Sequence, residues 1–309
     1  MRSKTIRIAT RKSPLALWQA NFIRAQLSRH WPLIDIELLP MSTSGDQFFK
    51  DKLLTMGGKG LFVKELEEAL LDHRADLAVH SMKDVPVMFP SGLSLTAIYT
   101  RDNPLDAFVS QASASLDTLP QGSVIGTSSL RRQSQLLAVR PDLQIKALRG
   151  NIHTRLEKME QGEFDAIILA AAGLERMGMQ TRIRERLSPE TMLPACGQGA
   201  LGIESRTDDE EIMRLLQPLH DPLTALCVNT ERRVNALLGG NCHTPLAVYC
   251  RPLDVSHLWL SAKVASADGK QVIEQHQQGL DSAAESMAEE CVEALLAGGA
   301  RVLLNEACP

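Results

Sequence analysis

The chain has 309 residues, of which 44% are apolar and 23% charged, and its formal net charge at pH 7 is -4. This length allows about two domains of ~150 residues, or three smaller ones, and the composition excludes a disordered or fibrous protein. The acidic balance argues against a general nucleic-acid-binding protein, because such proteins need a net basic domain to neutralise phosphates. Any cationic site must therefore be local.

The sequence carries no pattern typical of secretion or membrane insertion. Residues 1–7 are charged and lack the apolar core of a signal peptide, and no run approaches ~18 uninterrupted apolar residues. The six cysteines lack the density and spacing of a secreted disulfide framework. We therefore expect a cytoplasmic protein with reduced thiols and no membrane partner.

The first 200 residues repeat one pattern, in which a β-rich apolar run is followed by a polar turn and then a helix. The pattern predicts strands at 6–10, 76–80, 124–126, 143–148 and 165–170, and hence parallel α/β layers. Ser13 and Pro14 supply the N-cap and first position of a helix that extends through Leu27. Ligands bind beyond the carboxyl ends of strands in such sheets, so the polar groups there are candidates for a site.

Residues 42–60 are rich in glycine and polar side chains, which favours a mobile loop over the site. The run Gly57-Gly58-Lys59-Gly60 does not match a phosphate-binding loop, and no dinucleotide fingerprint opens a helix after a strand. ATP and NAD are therefore not supported as ligands.

The pattern changes near Asp221-Pro222, after which the sequence predicts a helix from Leu223 to Leu238. Strand-like runs at 245–250, 258–265 and 271–277 follow, with a tight hairpin turn at 267–270 between the last two. A helix from about 281 to 297 completes an α+β domain.

Eight cationic residues fall at predicted strand ends and helix starts. An arginine fork binds a carboxylate in two places and free helix amides add donors, so a shared crevice would suit a polyanionic ligand. Scattered surface charges are the alternative. The residues are Arg11, Lys59, Lys83, Arg131, Arg132, Arg149, Arg155 and Arg176.

The run from His80 to Pro86 places Asp84 beside Lys83, directly after an apolar strand. A carboxylic acid there could deliver a proton and then stabilise a cation, while the alternative is a surface Lys-Asp pair in a turn.

Cys242 follows Gly239-Gly240-Asn241, a turn in which the backbone can adopt positive φ and expose the thiol. The thiolate could act as a nucleophile or a covalent anchor. A thiol protease with His243 as base lacks an orienting residue, and a zinc site from Cys242, His243 and Cys250 lacks paired spacing, so no metal is expected.

Several long strings together resemble the porphobilinogen deaminase family, whose members are also called hydroxymethylbilane synthases, over nearly the whole chain. The strings are residues 7–19, 57–67, 80–86, 126–132, 148–151, 193–195 and 197–200.

The resemblance implies an α/β fold with two periplasmic-binding-protein-like lobes and a smaller α+β C-terminal domain. The implied domains are 1–99 with 200–217, 105–193, and 222–309, so that the chain returns to the first domain after Gln198. It also implies a monomer.

The resemblance further implies a transferase of porphyrin and heme biosynthesis. Four porphobilinogen molecules are joined head to tail with loss of ammonia on a dipyrromethane primer, held by a thioether to Cys242, and released as hydroxymethylbilane. Asp84 would protonate the leaving amine and then stabilise positive charge on the pyrrole nitrogens.

Carried over residue by residue, the resemblance implies two binding sets. The primer would be held by Cys242, Ser81, Lys83, Asp84, Thr127, Ser129, Arg131, Arg132 and Gly150. Substrate or the growing chain would be met by Arg11, Ser13, Gln19, Lys59, Phe62, Arg149, Arg155, Arg176 and Gln198.

The sequence departs from the family around the cysteine turn, where the family usually has Leu-Glu-Gly-Gly and this chain has Leu238-Gly239-Gly240-Asn241. His243 and Cys196 stand where glutamine and valine are common. Asparagine tolerates positive φ, so the turn can survive. A non-catalytic two-lobed anion-binding protein is the alternative function, and it would leave Asp84 and Cys242 unused.

Overall fold

A computed structural model of the chain describes residues 5–44, 63–241 and 244–307. Contacts divide the chain into two compact units, one of residues 1–101 with 200–225 and the other of residues 102–199 with 226–309. Within the described ranges, no helix is long and apolar enough to cross a membrane. Most of the predicted mobile loop lies outside these ranges.

The described strands and helices are numbered here in chain order. The strands are β1 (Thr5–Arg11), β2 (Asp35–Met41), β3 (Leu77–Ser81), β4 (Leu93–Tyr99), β5 (Asp106–Ser110), β6 (Val124–Gly126), β7 (Gln144–Lys146), β8 (Ala166–Ala170), β9 (Glu185–Leu187), β10 (Leu201–Arg206), β11 (Leu246–Pro252), β12 (His257–Ala265) and β13 (Val272–Leu280). The helices are α1 (Pro14–His30), α2 (Lys64–Leu71), α3 (Leu130–Val139), α4 (Ile152–Glu160), α5 (Ala171–Arg176), α6 (Glu210–Leu216), α7 (Pro222–Leu238), α8 (Ala284–Ala297) and α9 (Ala300–Ala307).

The first unit is built on a five-stranded sheet of order β2-β1-β3-β10-β4. β1 pairs in parallel with β2 and β3, whereas β10 runs antiparallel to both of its neighbours. Both faces of this sheet carry buried aliphatic residues, and helices pack on both faces because each apolar face must be shielded from water. One apolar cluster packs α1 and α6 on one face, and a second packs α2 on the other.

Helix α1 shows how local sequence sets an element at the site. The hydroxyl of Ser13 accepts a hydrogen bond from the Ala16 amide at 3.4 Å, and Pro14 occupies the first turn. Ala20, Ile23 and Leu27 recur at helical spacing and are buried against the sheet. The predicted N-terminus is confirmed, and the helix continues three residues past the predicted end.

The second unit contains another five-stranded sheet, of order β7-β6-β8-β5-β9. Its pairings repeat those of the first sheet, because β6 is parallel to β7 and β8 while β5 is antiparallel to its neighbours. α3 packs on one face and α4 with α5 on the other. Parallel α/β layers were thus predicted correctly, except that each sheet contains one antiparallel strand.

The chain leaves the first sheet after β4 and returns to it at β10, in line with the return that the resemblance implied. Near these connections, the Asp102 amide donates to the Gly199 carbonyl at 3.2 Å. Gly199 has φ +89°, and a Cβ there would lie 2.7 Å from the Asp102 oxygen. Only glycine allows so close an approach. The bounds of the three domains stay a prediction.

The second unit also contains the three-stranded antiparallel sheet β11-β12-β13. Residues from α7, α8, α9 and one face of this sheet form a shared apolar core. The predicted closing helix begins with a 3-10 turn at Asp281–Ala283, and α9 was not predicted. Two α/β sheets and an α+β C-terminal region confirm the predicted fold class.

Candidate active site

The first group of candidate residues lies at one edge of the first sheet, where β1 and β3 end. Arg11 is the last residue of β1 and Ser81 the last of β3, and a 3-10 helix at Met82–Asp84 follows directly. The Met82 side chain is buried and its amide donates to the Ala200 carbonyl at 3.0 Å. Asp84 is exposed at the end of this anchored segment, so its carboxylate is accessible to a ligand.

Gln19 and Ser81 are brought together across the sheet edge. The Gln19 side chain on α1 is buried, and its Nε2 donates to the Ser81 hydroxyl at 2.8 Å. The serine hydroxyl thus has a fixed place and can still donate its own proton to an acceptor. Ser13 serves as the N-cap of α1.

The second group lies at the matching edge of the second sheet. Thr127 follows β6, and its hydroxyl accepts from the amide of Ser129, the residue that precedes α3, at 3.2 Å. Arg131 and Arg132 occupy the first turn of α3 and are buried.

The buried carboxylate of Asp106, the first residue of β5, holds both arginines. Its Oδ1 accepts from Arg132 Nε at 3.1 Å and Nη2 at 2.7 Å, and its Oδ2 lies 2.8 Å from Arg131 Nη2. Gln198 Nε2 donates to Oδ1 at 3.1 Å. Asp106 was not predicted as a site residue, although an acidic residue that opens an apolar strand is a visible signal in the sequence.

Backbone carbonyls fix the same arginines further. Arg131 Nη1 donates to the Leu193 carbonyl at 2.7 Å, and Arg132 Nη1 to the Ile168 carbonyl at 2.8 Å. Burial lowers the pKa of Arg131 and the Asp106 charge opposes that effect. A guanidinium nevertheless keeps its proton in proteins, so two positive charges face one carboxylate.

A third set surrounds the turn between β7 and α4. Gly150 has φ +118°, and a Cβ there would lie 2.9 Å from the Thr154 side chain, so glycine is required. Asn151 caps α4 by accepting from the Thr154 amide at 3.0 Å. Arg155 Nε donates to the Gly150 carbonyl at 2.8 Å, and Arg149 is half-buried beside this turn.

Arg176 and Gln198 bind the connecting segments of the second unit. Arg176 Nε donates to Asp102 Oδ2 at 2.9 Å and its Nη2 to the Gly199 carbonyl at 2.6 Å. Burial lowers the pKa of Arg176, against the opposing charge of Asp102. Gln198 Nε2 donates to the Pro104 carbonyl at 2.7 Å, so both side chains brace this region.

Among the candidate site residues, Lys59, Phe62, Cys242 and His243 lie outside the described residues. In the turn before Cys242, Gly239 takes the positive φ, at +70°, and Asn241 does not. The Asn241 amide donates to the Thr244 hydroxyl at 3.1 Å, which donates back to the Asn241 carbonyl at 2.7 Å. The positive φ of this turn therefore falls on glycine, and the tolerance of asparagine for positive φ is not used.

The fold and these groups define a class of protein, namely an α/β protein with two sheets that binds a small anionic molecule. It has two α/β sheets of one topology, each with cationic and hydroxyl side chains at the edge where parallel strands end, and an α+β C-terminal region. Guanidinium and hydroxyl donors in this arrangement suit a small molecule that carries several carboxylates.

Comparison with known proteins identifies the family. The profile described as "Porphobilinogen deaminase, dipyromethane cofactor binding domain" matches residues 6–214, and that of the "Porphobilinogen deaminase, C-terminal domain" matches residues 225–297. Porphobilinogen deaminases from the Lens and Paris strains of Legionella pneumophila are each 63% identical over 305 residues, covering 99% of both chains. The chain belongs to the porphobilinogen deaminase family, a family of transferases.

More distant solved structures are similar to part of this chain. A periplasmic substrate-binding protein of an ABC transporter from Coxiella burnetii is 13% identical with a TM-score of 0.44, covering 71% of this chain and 94% of its own. The periplasmic VFT2 domain of BvgS from Bordetella pertussis is 17% identical with a TM-score of 0.41, covering 69% and 85%.

Proposed function

We propose how this chain performs the reaction of its family, in which four porphobilinogen molecules are joined head to tail with release of ammonia. The alternative of a non-catalytic anion-binding protein has no support in the family matches, which cover both parts of the chain. Porphobilinogen carries an acetate and a propionate, and the cationic strand ends suit such acid groups.

The donors in the described residues fit the family's dipyrromethane cofactor, whose side chains are also acids. We assign the primer to Ser81, Lys83 and Asp84 in the first unit, and to Thr127, Ser129, Arg131, Arg132 and Gly150 in the second. When bound, the primer supplies the pyrrole carbon to which the first substrate molecule is joined. The Asp106 carboxylate fixes the positions of the two guanidinium groups in this assigned site.

Asp84 is assigned as the proton donor to the leaving amine and, once ionised, as the carboxylate that stabilises positive charge on the pyrrole nitrogens. The observation that carries this assignment is the exposed Asp84 side chain on a segment anchored by buried Met82. Arg11, Ser13, Gln19, Arg149, Arg155, Arg176 and Gln198, with Lys59 and Phe62, are assigned to the substrate and growing chain.

Asp84→Ala tests this assignment. We expect an intact fold, a retained primer and turnover reduced by at least roughly 100-fold, because general acid catalysis contributes about that much. Porphobilinogen consumption followed over time gives the rate, and circular dichroism checks the fold. The exposed surface residue Asp117, changed to alanine, is the matched control. Near-parental consumption by Asp84→Ala would refute the role of Asp84.

Cys242 is assigned as the thioether anchor of the primer. An intact mass of the active protein should exceed the sequence mass by a two-pyrrole adduct, and Cys242→Ala should lack it. Cys227→Ala, which removes a buried thiol of the C-terminal core, should keep it. An adduct that survives in Cys242→Ala places the anchor elsewhere.

We further propose that the protein acts as a monomer in the cytoplasm, without nucleic-acid or membrane partners. The net charge of -4 supports the absence of a nucleic-acid partner. Sedimentation of the full chain tests the monomer, and a mass of two chains would contradict it.

A further inference from the structure

Three titratable side chains are buried together in the first unit, behind the segment that ends in Asp84. His80 on β3 and Glu204 on β10 are 6% and 1% exposed, and His80 Nε2 lies 2.9 Å from Glu204 Oε2. Glu67 on α2 is 9% exposed and interacts electrostatically with both. Buried ionisable groups are costly unless they are paired, so this cluster calls for a physical role.

The strand register explains why the three meet. His80 is opposite Gly202 and Glu204 is opposite Ala78, so the histidine and the glutamate are diagonal neighbours on one face of the sheet. That is the face on which α2 packs. Ser81, the next residue, points to the other face and meets Gln19 of α1.

The cluster is joined to Asp84 through a short, tightly packed path. Gly202, the partner of His80, leaves space for Met82, since a Cβ there would lie 2.3 Å from the Met82 sulfur. The Met82 carbonyl accepts from the Val85 amide at 3.2 Å, which closes the 3-10 turn around Asp84. A shift of β3 against β10 would therefore move the carboxylate of Asp84.

We propose that Glu67, His80 and Glu204 form one positioning cluster that holds the end of β3 against β10, and with it Asp84, during turnover. This inference rests on the proposed role of Asp84. The bond between His80 and Glu204 ties the two strands together beside the segment Met82–Asp84. The proton held on Glu67 keeps a second negative charge away from that bond.

The electrostatics of the cluster support this role. Burial, together with the neighbouring charge of Glu204, raises the pKa of Glu67 to about 7, and His80 opposes the shift. Glu204 Oε1 has no hydrogen-bond partner among the described residues. When Glu67 ionises, its negative charge repels that of Glu204, so the tie between β3 and β10 weakens as the pH rises.

Other charged groups on this face are already engaged or lie at its rim. Arg206 donates to the Leu70 carbonyl at 2.9 Å, Glu68 pairs with exposed Lys64 at 3.7 Å, and Glu65 accepts from the Ser44 amide at 2.7 Å. The register of β1 beside β3 places Arg11 on the same face, level with His80.

The experiment uses the full chain with its primer and measures kcat and KM from about pH 6 to pH 9 in Glu67→Gln and Glu204→Gln. We expect Glu204→Gln to lower kcat about tenfold with KM within about twofold, because a misplaced acid slows chemistry without removing a substrate contact. The parent should lose kcat as the pH rises through about 7, and Glu67→Gln should show less of this loss. The exposed neighbour Glu68→Gln is the matched control.

The outcomes separate this inference from the proposed function. If Glu67→Gln follows the parental profile and Glu204→Gln keeps the parental kcat, the positioning role is wrong. If Glu204→Gln does not fold, the profile of Glu67→Gln alone decides. Asp84→Asn in the same series distinguishes the two failures, since turnover by that variant would reject Asp84 itself.

Discussion

The carboxylate of Asp106 carries a single negative charge and orients two guanidinium groups. The group of Arg131, Arg132 and Asp106 therefore has a net charge of +1 in a buried and fixed geometry. A fork that is already oriented loses less conformational entropy when it binds a carboxylate, so its affinity rises without any new contact. Asp106 is thus a positioning residue of the proposed primer site.

Asp106→Asn should destabilise the protein by about 3 kcal/mol, because it leaves two buried positive charges without their counter-charge. It should also lower the fraction of chains that carry the primer, since the arginine forks lose their orientation. Urea unfolding measures the first effect and intact mass the second. Asp117→Asn, on the exposed surface, should change neither. Parental stability together with full primer loading would contradict the role of Asp106.

The cationic half of this site could be predicted from sequence and its acidic half could not. Arg131 and Arg132 follow a strand and open a helix, which is a local pattern. Asp106 meets them only because β5 lies beside β8 in the sheet, and that pairing joins residues about 60 positions apart in the chain. An acidic residue that opens an apolar strand stands out in the sequence, but a single sequence does not show which residues it will meet.

Helix α2 covers a sheet face with a carboxylate among its buried residues. Leu66, Ala69 and Leu70 pack against the sheet, and Glu67 is buried with them. Since burial and Glu204 raise the pKa of Glu67 to about 7, the native state holds a proton that the unfolded chain releases near its ordinary pKa of 4.5. The packing of this helix is therefore linked to pH.

The sign of the linkage follows from the proton count. Between about pH 4.5 and 7 the native state binds more protons at Glu67 than the unfolded state, so the contribution of Glu67 to stability falls as the pH rises and is constant above that window. Partial solvent screening limits the loss to about 1–2 kcal/mol.

Glu67→Gln should remove this component. The free energy of unfolding of the variant minus that of the parent should therefore increase between pH 5 and pH 8 by about 1–2 kcal/mol. Urea unfolding at several pH values measures it, with Glu68→Gln as the control. A difference that is independent of pH would exclude ionisation of Glu67 in this range.

Local chemistry predicts where some elements begin and says less about how strands pair. Ser13 and Pro14 determine the start of α1 because capping and a fixed φ act within one turn. The short edge strand β9 has only three residues, too few for a periodic pattern. β5 and β10 were not predicted as strands, and their antiparallel direction follows from the path of the chain rather than from a local pattern.

The two large sheets have one topology but are assembled differently along the chain. In each sheet, the fourth strand in the spatial order is antiparallel to its neighbours. In the second sheet this strand, β5, comes before the other four along the chain, whereas in the first sheet it is β10, which comes after the other four. A linear reading assigns each strand to the nearest sheet, because consecutive elements are usually adjacent in space. The return of the chain was therefore available only through the family resemblance.

A different long-range contact joins the C-terminal sheet to the helix that carries the paired arginines. The hairpin turn between β12 and β13 was predicted, but its contact with α3 was not. Gln133 Nε2 donates to the Ala267 carbonyl at 3.0 Å. Gly269, with φ +72°, leaves no room for a side chain, since a Cβ would lie 2.4 Å from the Ala138 nitrogen.

Gly269→Ala tests whether this contact stabilises the second unit. The matched control is Gly162→Ala, because Gly162 has φ +80° and a Cβ added there would meet nothing within 4 Å. Both variants carry the backbone strain of an alanine at positive φ, about 1 kcal/mol. Only Gly269→Ala must also push the hairpin from α3, which should cost a further ~1–3 kcal/mol.

The difference between the two glycine variants therefore isolates the contact, since their shared strain cancels. Urea unfolding gives both free energies, and primer loading by intact mass shows whether a displaced hairpin disturbs Arg131 on α3. We expect Gly269→Ala to lose stability and primer together, whereas Gly162→Ala loses only a little stability. Equal losses of stability in both variants would mean that the hairpin can move away from α3 without a cost in free energy. The C-terminal sheet would then not stabilise α3, the helix that carries Arg131 and Arg132.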